Sequence, residues 1–134
     1  MLLSRIFSSF AKGILLPALA LSTLVGAAAP AQRILFLVGE VEYGTAESLS
    51  HFAKDVLKPL GYETEFIFSA SDDRSSPDIH RFDGLSDALD RSDLLFISTR
   101  RRFPNAEQMT KIEAWVENGK PVIGIRTASH AFGA

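Results

Sequence analysis

Short runs of consecutive apolar residues, separated by segments with helical periodicity, are the feature that most limits how this chain can fold. The first run is RILFLV at 33–38, which ends at Gly39, and similar runs are DLLFIS at 93–98 and VIGI at 122–125. Strands that are apolar on both faces are typical of parallel sheets with helices packed on each side. The segment YETEFIF at 62–68 alternates at its start, which predicts a further strand nearer an edge of the sheet.

Helical patterns fill the segments between these strands. The first helix has Thr45 as its predicted N-cap and ends at Gly61, a short second helix spans 83–92, and the third begins at 104 or 105 and ends at Gly119. The residues predicted to face inward from the second and third helices are Leu85, Leu89, Met109, Ile112 and Val116. Because strands alternate with helices, the sequence predicts an α/β fold with a doubly wound, flavodoxin-like parallel sheet, and it leaves the strand order open.

The first 31 residues have the layout of a secretory signal peptide. Arg5 and Lys12 are the only charged residues there, the segment 14–29 is almost wholly apolar, and small residues precede the predicted cleavage site after Ala31. The prediction is therefore an exported protein, periplasmic or extracellular, with no membrane attachment after cleavage. The alternative is an uncleaved anchor, although the apolar core is shorter than the ~20 residues that a membrane span needs.

Residues 32–134 remain for the folded domain, and their composition narrows the function. Without the two bases of the signal, the 14 basic residues fall to 12 against 16 acidic ones, a net charge of −4 that disfavours nucleic acid or an anionic membrane as a partner. The absence of cysteine excludes disulfides, a cysteine nucleophile and thiolate metal sites. No helix follows the turn after the last strand, so we expect an incomplete domain, either a fragment or a truncated reading frame.

Polar segments follow three of the predicted strands, and they are GEVEYG at 39–44, STRRR at 98–102 and RTASH at 126–130. Because the carboxyl ends of parallel strands lie at one edge of the sheet, where open α/β folds bind ligands, these segments predict a pocket there. The second strand contributes the less distinctive SASDD at 69–73. The alternative is that these loops are polar only because they lie at the surface. The segment 39–44 lacks the spacing and the lysine of a phosphate-binding loop, and no motif identifies a cofactor.

Charged side chains in the first two segments are the candidate ligand contacts. Arg100 and Arg101, within a run of three arginines, are predicted to bind an anion or the carboxylate and hydroxyl groups of a substrate, or else to form ion pairs. Neighbouring residues alternate in direction, so at most two of the three arginines should face one pocket. Glu40 and Glu42 are predicted to serve as acid and base or to hold a hard cation, or else to pair with Arg126 or the arginine run.

His130 is the candidate general base or ligand, because it lies in the first turn after the fourth strand. His51 and His80 are interpreted as solvated, and no metal ligands are assigned. Ser129 precedes His130 directly, and adjacent residues on a helix do not face each other, so no Ser129–His130 dyad is expected. Tyr43 is predicted to stack on a sugar ring or to cover its loop.

The chain resembles the trehalose-utilisation (ThuA-like) family, particularly its exported bacterial members, in the segments FLVGEVEYGTAESL, LLFISTRRRFPNAEQM and GKPVIGIRTASHAF. The resemblance spans Arg33 to Phe132 and implies a class I glutamine-amidotransferase-like fold, which is a relative of the flavodoxin-like sheet. Members of the family carry a further half-domain, so residues 32–134 would be the N-terminal portion of the domain. The implied function is carbohydrate utilisation, with a disaccharide or keto-sugar as the small-molecule partner and a hydrolase-like or lyase-like reaction.

The resemblance also assigns the residues of the last turn. True amidotransferases read G-x-C-x-G-x-Q there, and in this chain Gly124 keeps the first glycine. Arg126, Ala128 and His130 replace the cysteine, the second glycine and the glutamine. A guanidinium stays protonated and cannot act as a nucleophile, so the scaffold is retained without amidotransferase chemistry. The catalytic candidates are Glu42, Arg126 and His130, and the substrate-binding candidates are Glu40, Tyr43, Arg100, Arg101, Thr127 and Ser129. The alternative is a non-catalytic binding or interaction domain, or an inactive fragment.

Overall fold

A four-stranded parallel sheet organises the computed structural model, which describes residues 30–133. Its strands are β1 (Arg33–Gly39), β2 (Glu63–Phe68), β3 (Leu94–Thr99) and β4 (Val122–Gly124). They lie in the order β2-β1-β3-β4 and every neighbouring pair is parallel, which puts the alternating segment β2 at an edge of the sheet, as its sequence predicts. The predicted signal peptide lies outside the described residues, except for its last two positions.

Helices connect the strands at the predicted places, and they are α1 (Thr45–Phe52), α2 (Leu85–Asp90) and α3 (Ala106–Glu117). After α1 the chain continues through a π-helical turn at Ala53–Leu57 and a 3₁₀ turn at Lys58–Leu60, and Gly61 ends this segment with a φ of 87°. The side-chain oxygen of Asn105 caps α3 by accepting a hydrogen bond from the backbone N–H of Gln108 (2.9 Å). The predicted strand–helix alternation is therefore confirmed.

The helices cover both faces of the sheet, and β1 shows this most directly. Leu35 and Leu37 point to the side of α2 and α3, Phe36 points to the side of α1, and all three are fully buried. Phe36 stacks on Phe66 of β2 with the ring centres 4.6 Å apart, and its ring centre lies 4.9 Å from that of Phe96 on β3. The parallel pairing and the two covered faces confirm the predicted α/β, flavodoxin-like fold.

The inner face of α3 differs from the predicted one. Val116, predicted to face inward, is 58% exposed, and Trp115 packs into the core instead, where its indole N–H donates to the carbonyl oxygen of Pro121 (3.1 Å). The buried positions of α3 are Gln108, Ile112 and Trp115. Ile112 and Trp115 are three residues apart and share this face, whereas Val116 lies about 100° around the helix from Trp115, at the margin of the face.

The edge strand β4 carries apolar side chains that the fold leaves exposed. Val122 and Ile123 are both exposed, because β4 is three residues long and pairs only with β3. The strand also ends at Gly124, one residue before the predicted end.

Among the described helices, none combines the length and the apolar composition that crossing a membrane requires.

Candidate functional site

The polar segments that follow β1, β3 and β4 meet at the carboxyl edge of the sheet. The backbone N–H of Arg100 donates to the carbonyl oxygen of Gly39 (3.3 Å), which ties the arginine run to the end of β1. The backbone N–H of Arg101 donates to the carbonyl oxygen of His130 (3.0 Å), which ties the same run to the segment after β4. The three segments therefore form one continuous surface, at the edge where parallel sheets of this kind bind ligands.

The chain bends sharply after β4, at the predicted turn. Arg126 has a φ of 53°, in the left-handed region that residues with side chains rarely adopt, and a 3₁₀ turn at Arg126–His130 follows it. Gly124 permits the bend, because a Cβ built on this residue would lie only 2.9 Å from the Cβ of Ala128. These three positions have the geometry of a nucleophile elbow, with a cation where such elbows carry the nucleophile.

Tyr43 links the loop after β1 to this elbow. Its ring centre lies 4.5 Å from the guanidinium carbon of Arg126, and the Tyr43 side chain is about half exposed. A cation–π contact of this kind contributes ~0.5–1 kcal/mol at an exposed site. The contact holds the exposed guanidinium of Arg126 over the loop that follows β1.

A cavity of about 270 Å³ lies at the same edge. Its lining residues are Glu40, Val41, Glu42, Arg74, Ile79, His80, Arg100, Arg101 and Arg102. Four predicted site residues are thus brought together, namely Glu40, Glu42, Arg100 and Arg101. The other predicted residues lie outside this lining, and they are Tyr43, Arg126, Thr127, Ser129 and His130.

Glu42 forms ion pairs with two of the arginines that line the cavity. Its Oε1 accepts hydrogen bonds from Nη1 of Arg100 and from Nη2 of Arg74, the latter at 2.8 Å. The hydrogen bond from Arg100 is the main cause that holds the pKa of Glu42 below its ordinary value of 4.5. The predicted alternative, an ion pair with the arginine run, is therefore confirmed. A carboxylate with a lowered pKa is a weak general base at neutral pH, which weighs against proton transfer by Glu42.

Glu40 is buried, and its two hydrogen bonds fix the conformation of the loop after β1. Its Oε1 accepts a hydrogen bond from the hydroxyl of Thr45, and its Oε2 accepts one from the backbone N–H of Glu42 (3.2 Å). The prediction of Thr45 as the N-cap of α1 is wrong, since Gly44 occupies that position and the hydroxyl of Thr45 donates to Glu40 instead. Residues 30–133 contain no group of three or more His, Asp or Glu side chains placed to hold a metal ion.

All three residues of the arginine run line the cavity, so the prediction of at most two is wrong. Arg101 has a φ of 48°, and this left-handed conformation interrupts the alternation of an extended strand. Arg102 is only 8% exposed, and its Nη1 donates to the carbonyl oxygen of Arg100 (2.7 Å). Burial lowers the pKa of Arg102, and no Asp or Glu among residues 30–133 forms an ion pair with it.

His80 and Arg74 come from the loop after β2, and the sequence interpretation missed both. His80, interpreted as solvated, is half-buried, and its ring packs edge-on against Phe103 with the centres 4.7 Å apart. The 3₁₀ turn Pro77–His80 brings it over the cavity. The available signal was the position of this loop, since the segment after β2 starts at the same edge of the sheet as the other three.

The remaining candidates lie in the turn after β4. The hydroxyl of Thr127 donates to the carbonyl oxygen of Thr99 (3.0 Å), so Thr127 anchors the turn to β3. The Oγ of Ser129 lies 3.2 Å from Nδ1 of His130, and both side chains are exposed. The expectation that these two side chains do not meet is therefore wrong, although adjacent residues of a 3₁₀ turn also point in different directions. A catalytic role for His130 stays a prediction.

Comparison of the chain with protein-family models, curated proteins and solved structures gives no match. The fold and the site together define an α/β domain of flavodoxin-like topology with an arginine-rich cavity at the carboxyl edge of its sheet. The resemblance to the ThuA-like family stays a prediction that rests on the sequence segments alone.

Proposed function

We propose that this domain binds an oxidised carbohydrate, such as a keto-sugar or an oxidised disaccharide, at the carboxyl edge of the sheet, as the ThuA-like resemblance implies. The observation that carries the proposal is Arg126, which occupies the apex of an elbow in a left-handed conformation and rests on the ring of Tyr43. Backbone strain of this kind is concentrated at functional positions. Its guanidinium fork is suited to a carbonyl or carboxylate oxygen and is not able to act as a nucleophile.

The proposed roles of the neighbouring residues follow from their contacts. Arg126 orients the oxidised end of the sugar, and the ring of Tyr43 provides a surface against which a sugar ring can stack. His130, whose Nδ1 lies beside the hydroxyl of Ser129, is the better candidate for moving a proton, because Glu42 is already engaged by two guanidinium groups. The apolar, small-residue pattern at 1–31 supports export of the protein before it meets this ligand.

Calorimetric titration tests the proposal with trehalose and with a keto derivative made by its oxidation. We expect the keto-sugar to bind more tightly than trehalose, and Arg126→Ala to weaken that binding about tenfold or more, since a hydrogen bond to a charged group is lost. Arg91→Ala is the matched control, because Arg91 pairs with Glu65 in an exposed contact outside the cavity. Equal binding by the wild-type protein and Arg126→Ala would reject the role of this arginine.

The second candidate function is that of a non-catalytic domain, in which the same charged residues only stabilise the fold. The bridge from Glu42 to Arg74 and Arg100 favours it, because this bridge holds the loops after β1, β2 and β3 together without a ligand. This function predicts that Glu42→Gln lowers the melting temperature and that no sugar raises the melting temperature of the wild-type protein. A clear thermal shift with either sugar contradicts it.

A further inference from the structure

Buried polar side-chain atoms without a hydrogen-bond partner are concentrated in the residues that line the cavity. Within residues 30–133, four buried side-chain atoms have no hydrogen-bond partner in the protein, and three of them belong to residues that line this cavity, namely Nδ1 of His80, Nε of Arg100 and Nε of Arg102. A buried polar group without a partner is costly, and native proteins contain few of them. The two Nε atoms can only donate, so their concentration in the lining of one cavity points to a ligand that accepts hydrogen bonds.

The charges of the lining specify the sign of that ligand. Four arginines line the cavity against two glutamates, an excess of two positive charges. Glu40 is occupied by Thr45 and by the backbone of Glu42, and Glu42 is shared between Arg74 and Arg100. Neither carboxylate forms an ion pair with Arg102, which is the most buried of the four. A buried cation without a direct ion-pair partner is costly, and Glu42, Asp72 and Glu40 attract Arg102 only from beyond ion-pair distance.

We propose that the cavity is an oxyanion site, in which Arg102, Arg100 and His80 bind the charged group of the ligand. The cavity volume, about 270 Å³, is below the ~300–1,000 Å³ of drug-sized pockets, so the bound part is no larger than a monosaccharide. A small sugar acid, with a carboxylate at one end and hydroxyl groups beyond it, fits both the charge and the size. The sugar part of this inference rests on the proposed function, whereas the oxyanion part rests on the cavity alone.

Thermal denaturation of the protein tests the site with gluconate, glucuronate, inorganic phosphate and neutral glucose, all at constant ionic strength with chloride as the reference anion. A ligand that binds only the folded state raises the melting temperature as its concentration exceeds its Kd. We expect a concentration-dependent rise with the two sugar acids, a smaller rise with phosphate, and none with glucose. A melting temperature that is the same with each of these anions as with chloride overturns the oxyanion site without recourse to any variant.

Arg102→Met is the decisive variant, because it removes the charge and the Nε donor and keeps a long apolar side chain. We expect it to weaken gluconate binding about tenfold or more in calorimetry, while the melting temperature without ligand changes little, since an unpaired buried cation is removed. A purely structural arginine gives the opposite pattern, with a large loss of melting temperature and unchanged gluconate binding by the folded fraction. Arg91→Met is the matched control and should bind gluconate like the wild-type protein.

His80→Phe provides a second variant in case Arg102→Met does not fold. Phenylalanine preserves the edge-on packing against Phe103 and removes the ring nitrogens, so weaker gluconate binding by a folded His80→Phe protein supports the site and unchanged binding contradicts it.

The ligand series also separates the oxyanion site from the proposed function. Binding of the keto-sugar without any response to anions rejects the oxyanion site and preserves the proposed function. Binding of phosphate as tight as that of both sugar acids, with no response to any neutral sugar, supports the oxyanion site and rejects the carbohydrate.

Discussion

Replacing Gly124 with alanine tests the elbow on which the proposed function depends. A Cβ at this position would lie 2.9 Å from the Cβ of Ala128, whereas ordinary contacts of this kind are 3.4–4 Å. The two carbons would therefore approach each other about 0.5 Å too closely. Both belong to the backbone-proximal part of the chain and cannot rotate away, so the turn at Arg126–His130 has to move away from β4.

The expected loss follows from two opposing effects. Overpacking of this severity costs about 1–3 kcal/mol, and the reduced freedom of the unfolded chain returns about 0.4–1 kcal/mol when glycine becomes alanine. The midpoints of these ranges leave a net loss of about 1.3 kcal/mol in the free energy of unfolding, which corresponds to a decrease of roughly 5–10 °C in the melting temperature of a domain of this size. Because the unfolded-chain effects cancel in a double-mutant cycle, the coupling between Gly124→Ala and Ala128→Gly should amount to about 1–3 kcal/mol.

Urea denaturation of the wild-type protein, both single variants and the double variant, followed by circular dichroism, measures that coupling. Ala128→Gly alone serves as the control for added flexibility, and the double variant should recover most of the stability that Gly124→Ala loses. A coupling energy below about 0.5 kcal/mol is within the usual error of additivity. That result would show that Gly124 and Ala128 do not touch, and the elbow geometry of Arg126 would be refuted with it.

Two further predictions concern the charged residues of the edge. Because the pKa of Glu42 is lowered in the folded state, its ionisation stabilises the fold above pH 4.5, and this contribution is lost as the pH falls through the lower folded value. The stability of Glu42→Gln should therefore depend less on pH below 4.5, which urea denaturation at several pH values measures. An unchanged pH dependence contradicts the ion pairs of Glu42. Arg101→Gly should raise the free energy of unfolding by about 0.5–1 kcal/mol in the same assay, because glycine adopts a φ of 48° without strain. A loss of stability would show instead that the Arg101 side chain holds the loop after β3 in place.

The fold could be predicted from the sequence because it depends on patterns within single segments. The run Arg33–Gly39 is apolar at consecutive positions, and this predicts a strand covered on both faces, which is how β1 lies between α1 on one face and α2 and α3 on the other. The choice between Trp115 and Val116 on α3 could not be made in the same way. A helical pattern allows either residue to face inward, and contacts from other elements, such as the carbonyl oxygen of Pro121, decide between them.

The site was predictable only in part, for the same physical reason. The segments after β1, β3 and β4 could be assigned to one edge because parallel strands end there. The loop after β2 has no regular pattern, so nothing in its sequence shows that Arg74 reaches Glu42 or that His80 packs on Phe103. The left-handed conformation of Arg101, which turns a third arginine into the cavity, is likewise set by contacts distant in sequence, including its hydrogen bond to His130.

A comparison of the amino and carboxyl ends of the strands shows why the lack of an ion-pair partner for Arg102 is better explained by a bound ligand than by the stability of the fold. At the amino edge, Arg33 and Arg91 pair with Glu63 and Glu65 in exposed contacts, where an ion pair adds little stability and leaving it unmade costs little. At the carboxyl edge, Arg102 is buried, and an unpaired charge there costs far more. If the chain were selected for stability alone, the pairing would be found where burial makes it necessary. At the carboxyl edge the more exposed Arg74 and Arg100 share Glu42, whereas the buried Arg102 has no ion-pair partner. This arrangement is expected when a bound molecule supplies the missing anion, and the Arg102→Met and Arg91→Met variants compare a buried unpaired arginine with an exposed paired one.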